Sequence, residues 1–516
     1  MIRTDDELAR GRGRVVDRRA FLRTAGLTAA ALTLPTRVIA DPYAPLAPRR
    51  PARPVRIRGR VRGRGRGGGG GIGGVAVSDG LEVVGTARDG SFELITTADR
   101  PFLQLSVPSG YGIPVNPTGT ARFYRPIRAD ADGGMEAVFE LERLSGADER
   151  HTFLLLADPQ TQNAEEVEWF REEMVPDVRG VVGELGDEEV FGIACGDIMY
   201  NNLEHFPGYE RAVSEMGVPF FQVVGNHDMD FEARTDQDAT ATFSRHFGPR
   251  YYSFERGAVH YVMLDDVFWH GSDYIGYLDH DQLTWLANDL ALVEPGRTVI
   301  VAMHIPVLGS QHVRNDQARP RASLAVMNRE ALYRLLEPYE AHALVGHTHE
   351  SEHVFEAGVH EHVCGAVCGS WWSGPICHDG APKGYAVYEI DGSQVSWRYK
   401  STGRGFEHQI RAYPHGADRG APDEIVANVW DWDPEWTVVW YEDGDRVGEM
   451  GRRIGLDPLS VELHTGPDLP VRREWVEPLR TGHLFYAPAS RGAREIRVEA
   501  TDRFGRVYTA VVPEAT

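Results

Sequence analysis

The chain has 516 residues, of which 42% are hydrophobic and 25% charged, with a formal net charge of −22 at pH 7. That composition suits a chain with buried cores and excludes a disordered polymer, a collagen-like repeat and a small disulfide scaffold. No apolar run reaches the roughly 18 residues of a membrane-spanning helix. The first 66 residues hold seventeen arginines against five acidic residues, so the remainder is strongly acidic and poorly suited to non-specific nucleic-acid binding. Only four cysteines are present. Cys364, Cys368 and Cys377 lie close together in sequence, and the expectation for them is buried thiols rather than a disulfide or a metal site.

At the N-terminus, Asp17-Arg18-Arg19-Ala20-Phe21-Leu22-Arg23 precedes a mildly apolar run and the small-residue pattern Val38-Ile39-Ala40. This arrangement resembles the bacterial twin-arginine export signal, which implies cleavage after Ala40 and a periplasmic or extracellular destination for a chain exported already folded. Residues 41–54 contain five prolines and read as an extended linker. From Val55 arginine alternates with Val, Ile or Gly, and short strands follow at Gly73–Val77, Leu81–Thr86, Ser91–Thr96 and Leu103–Val107. Asp79-Gly80 and Asp89-Gly90 supply the turns between them. The expectation for 55–127 is a small β-sandwich with a solvated arginine face. The stretch resembles the carboxypeptidase-regulatory-like β-domain found ahead of some bacterial hydrolases.

At Phe153 the pattern changes to buried strands alternating with amphipathic helices. Strands are predicted at Phe153–Ala157, Val190–Cys195, Phe220–Val224, His260–Leu264, Thr298–Met303 and Ala343–Val345. Helices are predicted at Ala164–Val175, Asp281–Val293 and Asn328–Leu336. This is a layered α/β unit, placed at 151–395. After about residue 400 strands dominate again, and 401–516 reads as a C-terminal β-sandwich-like domain.

Five short clusters fall at the C-terminal ends of the central strands. They are Asp158-Pro159-Gln160, Gly196-Asp197, Gly225-Asn226-His227-Asp228, His304-Ile305-Pro306 and Gly346-His347-Thr348-His349. Strand ends on one rim converge on one crevice. Carboxylate, amide and imidazole side chains suit Mn²⁺, Fe²⁺ or Zn²⁺, and one carboxylate between two half-sets can bridge a pair of ions.

The order of these clusters resembles the calcineurin-like metallophosphoesterase superfamily over residues 151–395. The flanks, Gly369-Ser370-Trp371-Trp372-Ser373-Gly374 and Thr501-Asp502-Arg503-Phe504-Gly505-Arg506 among them, are similar to its bacterial members with fused N- and C-terminal β-domains. The resemblance implies an αββα core that binds two divalent ions and hydrolyses phosphomonoesters or phosphodiesters with a hydroxide held between them. Asp158, Gln160 and His349 would hold the first ion, Asn226, His304 and His347 the second, and Asp197 both. His227 would protonate the leaving oxygen, with Asp228 orienting its ring. Gln160 departs from the histidine of many relatives, and an amide oxygen is the poorer ligand for soft-leaning ions. Trp371 and Trp372 fit either the floor of a substrate cleft or an interdomain core. The competing reading is a surface- or carbohydrate-binding protein on a catalytically weak core, which the full ligand set opposes.

Overall fold

A computed structural model describes residues 53–64 and 69–514. The export signal at 1–40 and all but the last two residues of the proline-rich linker therefore lie outside the described residues. No helix among those described is long and apolar enough to cross a membrane.

The arginine-alternating segment forms the strand Pro54–Arg64, with Val55, Ile57 and Val61 buried and the arginines outward. It lies between Ser91–Thr97, antiparallel, and Gly134–Glu142, parallel. A second sheet orders Val83–Gly85, Ala76–Ser78, Phe102–Leu105 and Tyr124–Pro126. The two sheets enclose one core, which includes Ile57, Val77, Leu94, Leu105 and Phe139. The sandwich thus runs past the expected boundary at residue 127, because Gly134–Glu142 supplies inward Ala137, Phe139 and Leu141 beside the first strand.

The central unit has two sheets. One orders Phe220–Val223, Glu189–Cys195, Arg150–Leu156, Gly384–Asp391 and Gln394–Ser401, the first three mutually parallel. The other orders Tyr252–Arg256, Val259–Met263, Thr298–Ala302, Glu340–Val345, Val359–Val363 and Glu352–Glu356, with a parallel interior. Because side chains alternate along a strand, Ile300, Ala302 and Leu344 join the core between the sheets. Val299, Val301, Ala343 and Val345 instead pack beneath the helices His280–Leu290 and Arg329–Leu336. Helices Ala164–Leu185 and Phe206–Met216 cover the first sheet, which completes the αββα layering.

The helix expected to stop at Val175 continues through Pro176 to Leu185. A proline inside a helix removes one hydrogen bond. Val167, Phe170, Met174, Val178 and Val181 nonetheless form one buried face across it, and that burial outweighs the lost bond. Two four-stranded antiparallel sheets form the C-terminal sandwich, around a core containing Ile425, Val438, Trp440, Phe485 and Val498.

One ion cluster ties the second sheet to its helix layer. His260 is 2% exposed, with Nε2 2.9 Å from Asp289 and Nδ1 2.6 Å from Glu255. Burial opposes charge on the ring, but the two carboxylates outweigh it and lift its pKa from 6.5 to about 10. The bound proton therefore stabilises the fold fully below the unfolded value of 6.5, and this contribution is lost as pH rises through 10. Replacing His260 by Gln is expected to cost about 3–5 kcal/mol near neutral pH, the usual effect of breaking a buried ion pair. In urea unfolding the deficit relative to wild type should shrink steadily as pH approaches and passes the folded pKa. A deficit independent of pH would show that packing, not charge, is what was lost.

Candidate metal centre

The residues that follow the central strands leave the sheets abruptly. Among the described non-glycine residues, twelve have positive φ, and five of these are Asp158, Gln160, Asp197, His347 and His349. Left-handed backbone is costly for such residues. Here it turns each side chain sharply off its strand toward a common centre. Close approach of the loops adds a second constraint: a Cβ on Gly225 would lie 1.9 Å from the Asp197 nitrogen, so only glycine fits there.

Asp197 lies in the middle and is 1% exposed. Its Oδ1 accepts the backbone N–H of His227 at 2.8 Å and lies 3.2 Å from His304 Nε2. Its Oδ2 accepts the Gln160 amide at 2.6 Å. His304 Nε2 is also 3.1 Å from Asn226 Oδ1 and 3.2 Å from His347 Nδ1. On the other side, His349 Nε2 lies 3.6 Å from Asp158 Oδ1. Asp158 also accepts the His347 backbone N–H. All seven expected ligands are thus brought to one buried centre.

Three of the histidines are set up alike. His304 Nδ1 faces the Cys195 carbonyl at 3.0 Å, His347 Nε2 faces the Ser323 carbonyl at 2.9 Å, and His349 Nδ1 faces the Gly369 carbonyl at 2.6 Å. A carbonyl can only accept, so each ring donates outward and turns its other nitrogen into the site; on neutral His347 and His349 that nitrogen carries a lone pair, and on His304 it carries a proton that an ion would displace. Two buried atoms there, Gln160 Oε1 and His349 Nε2, have no hydrogen-bond partner. Polar atoms are rarely buried in this way without a ligand. The donor set therefore fits divalent ions, with Asp197, His304 and His347 the most tightly gathered group.

The electrostatics agree. Burial pushes the Asp158 carboxyl well up, and the Asp197 charge adds to the effect. Burial likewise raises Asp197, but His304 and His227 outweigh it and hold the carboxylate down. Burial, and then the charge on His304, takes His347 down to about 3, and burial takes His349 to about 3, so both are neutral ligands at neutral pH. Burial also opposes charge on His304, but Asp197 and Asp158 lift it to about 10. A divalent ion supplies the same positive charge as that proton, and binding one releases it.

The Asp228 carboxylate does not orient the His227 ring. It accepts backbone N–H groups from Met199 at 2.8 Å, Gly225 at 3.0 Å and Ile198 at 3.1 Å, clamping the loop after Asp197 to the loop that carries Asn226. Asn201 takes the expected role: its Oδ1 lies 2.5 Å from His227 Nδ1, and its backbone N–H donates to the His227 carbonyl at 3.1 Å. Tyr200 stacks on the same ring at 4.5 Å. The sequence clue to both residues was their place in the loop just after Gly196-Asp197. Asp266 was also missed; it accepts the backbone N–H groups of His304 and Ile305.

Trp371 and Trp372 are buried, at 8% and 7% exposed. Trp371 stacks on His349 at 4.0 Å and packs against Trp475 of the C-terminal domain, while the Trp372 ring N–H donates to the Pro159 carbonyl at 3.0 Å. Both back the ligand loops, and Trp371 also joins the core to the C-terminal domain, which is the interdomain alternative. The four cysteines are buried free thiols.

Comparison with known proteins follows this geometry. Residues 151–351 match the calcineurin-like phosphoesterase family, residues 58–144 the N terminal of calcineurin-like phosphoesterase and residues 361–508 its C terminal. The serine/threonine-protein phosphatase CPPED1 of Danio rerio is 28% identical over 152 residues, 27% of this chain; the match spans about half (48%) of that relative's length. A dimetal phosphatase structure from Danio rerio is similar at 16% identity and TM-score 0.34, over 49% of this chain and 96% of that one. Purple acid phosphatase PPD1 from yellow lupin (Lupinus luteus) is similar at 14% identity and TM-score 0.36, over 67% of each chain. With successive regions matching the N-terminal, catalytic and C-terminal parts of one family in that order, the chain belongs to the calcineurin-like phosphoesterase superfamily.

Proposed function

We propose that this protein is an exported, metal-dependent hydrolase of phosphomonoesters or phosphodiesters. The observation that supports it is the buried centre in which three histidines, each oriented by a backbone carbonyl, are gathered with Asp158, Gln160, Asp197 and Asn226. Two divalent ions, when bound, offset charge on the phosphoryl oxygens and lower the pKa of bound water. The rest falls to the chain's own residues. Asp197 lies between the two ligand groups and holds them in register. His227, at the edge of the centre with its Nε2 3.9 Å from Asp197, is placed to carry a proton. Asn201 accepts from Nδ1–H, so the proton offered to the leaving oxygen sits on Nε2. The Tyr200 ring limits rotation of the imidazole and is itself covered by the Arg473 guanidinium at 4.8 Å, so the C-terminal domain walls one side of the site.

Hydrolysis of nitrophenyl phosphate and bis-nitrophenyl phosphate, with and without Mn²⁺ or Zn²⁺, tests the reading and separates monoesterase from diesterase. Turnover of neither ester under any metal would leave the binding-protein alternative standing. Replacing His227 by Ala should spare metal content and lower turnover of alkyl esters by about 10²–10⁴-fold, the usual contribution of a general acid. Nitrophenyl esters, whose leaving group needs little protonation, should lose much less; equal losses would remove His227 from the acid role.

An amide oxygen donates less charge than imidazole, so the site built on Gln160 should lose its ion to a chelator before the other. Gln160→His should tighten it, and Asp197→Asn should weaken both sites together. Two equal affinities unchanged by Gln160→His would contradict the unequal-site assignment.

Export rests on Arg18-Arg19 and Val38-Ile39-Ala40. Mass analysis of protein recovered outside the cytoplasm should find a chain beginning at Asp41, and Arg18→Lys with Arg19→Lys should abolish its appearance there. An intact N-terminus on exported protein would refute the cleavage site.

A further inference from the structure

A second histidine cluster lies away from the phosphoesterase centre, on the last strands of the second central sheet. Glu340–Val345 and Val359–Val363 run parallel with His342 opposite His360, and Glu352–Glu356 runs antiparallel with His353 opposite His362. This register puts His342, His353, His360 and His362 on one face of three adjacent strands. The rings crowd together: His360 and His362 have centroids 3.8 Å apart, His342 Nδ1 lies 3.0 Å from His362 Nε2, and His353 Nδ1 lies 3.0 Å from His360 Nε2. One nitrogen from each of His342, His360 and His362 lies within 4.8 Å of the others. The C-terminal domain closes over the cluster, with Asp431 3.1 Å from His353 Nε2.

Neutral His342, His360 and His362 carry one lone pair each. The two imidazole–imidazole contacts satisfy at most two of these three, and the Asp431 carboxylate, which accepts, faces His353. His362 is 2% exposed, and its Nδ1 has no hydrogen-bond partner. A buried unpaired nitrogen beside clustered imidazoles is costly without a ligand. We propose that His342, His360 and His362 bind a third divalent ion, of the imidazole-preferring class that zinc represents, and that this ion fastens the C-terminal domain to the catalytic core through His353 and Asp431.

The surroundings favour it. Burial takes His342 down to about 4 and takes His360 and His362 further down, so the rings are neutral, the form that ligates. The nearby cation, Arg503, is engaged by Asp433 at 2.7 and 3.1 Å and lies over Trp397 and Phe355, so its charge is compensated locally. Three imidazoles with an adjacent carboxylate match the nitrogen-and-oxygen donor sets of zinc. His342 is only partly buried, so the cluster is not fully sealed from solvent. The site shares no ligand with the phosphoesterase centre and does not depend on what that centre does.

The test uses the full chain with the phosphoesterase centre disabled by Asp197→Asn and His304→Ala. Loaded with Zn²⁺ and desalted, this protein should retain one ion per chain. With Co²⁺ it should show the intense visible band of tetrahedral cobalt, and its Tm should rise with either metal. Adding His360→Gln, or His342→Gln should the first variant fold poorly, is expected to abolish the retained ion, the band and the Tm rise together. In the otherwise wild-type chain, His342→Gln should remove one metal equivalent and leave nitrophenyl phosphate turnover within about twofold at saturating metal. Cobalt in the disabled chain with only the pale spectrum of the aqueous ion, or zinc content unchanged by both histidine substitutions, would overturn the proposal and identify the cluster as a hydrogen-bonded imidazole network.

Discussion

The Asp197 carboxylate is the interaction on which the rest depends. Burying an ionised carboxylate costs several kcal/mol unless its lone pairs are met by donors or cations. At Asp197 they are met by the His227 backbone N–H, the Gln160 amide and the His304 ring, which arrive from three different strand ends. Holding that charge inside the protein is therefore the same task as holding the ligand loops in register. His304 carries this further, since the two carboxylates around it outweigh its burial. The centre is built to keep positive charge, first as a proton and then as metal.

Around this centre the backbone is strained where the chemistry needs it. Left-handed conformations at Asp158, Gln160, Asp197, His347 and His349 are compensated by the buried strands that precede each of them. A flexible surface loop could not hold five such residues in place; loops rooted in a two-sheet core can. Asp228 and Asp266 serve the same end from behind, by satisfying the backbone N–H groups of the turns that follow Asp197 and precede Asn226, and of His304 and Ile305.

The C-terminal sandwich is part of the site's architecture. Trp475 packs on Trp371 behind His349, Arg473 covers Tyr200 beside His227, and Asp431 reaches the second histidine cluster on the far strands. Domain attachment and site geometry are thus coupled at several points. Loosening the C-terminal domain should disturb the orientation of His227 and of the candidate ligand His349 with neither residue substituted.

The sequence by itself determined the layered α/β pattern and the motifs clustered at its strand ends, because alternating burial, turn residues and short motifs set directly after apolar strands are local features. The αββα arrangement and the choice of Asp158, Gln160, Asp197, Asn226, His304, His347 and His349 as candidate ligands came from the resemblance of those motifs to a known superfamily. The arginine-alternating first strand was legible for the same reason, since period two puts Val55, Ile57 and Val61 on one face. Only the tertiary structure decided what depends on residues distant in sequence. It showed Asn201, not the adjacent Asp228, holding the His227 ring, because Asp228 is turned inward to three backbone N–H groups. It carried the N-terminal sandwich on to Gly134–Glu142 and the first long helix through Pro176, in both cases because a buried face continued past a local boundary. It also brought His342, His353, His360 and His362 together, which spacing alone does not reveal, because the register between three strands places them on one face.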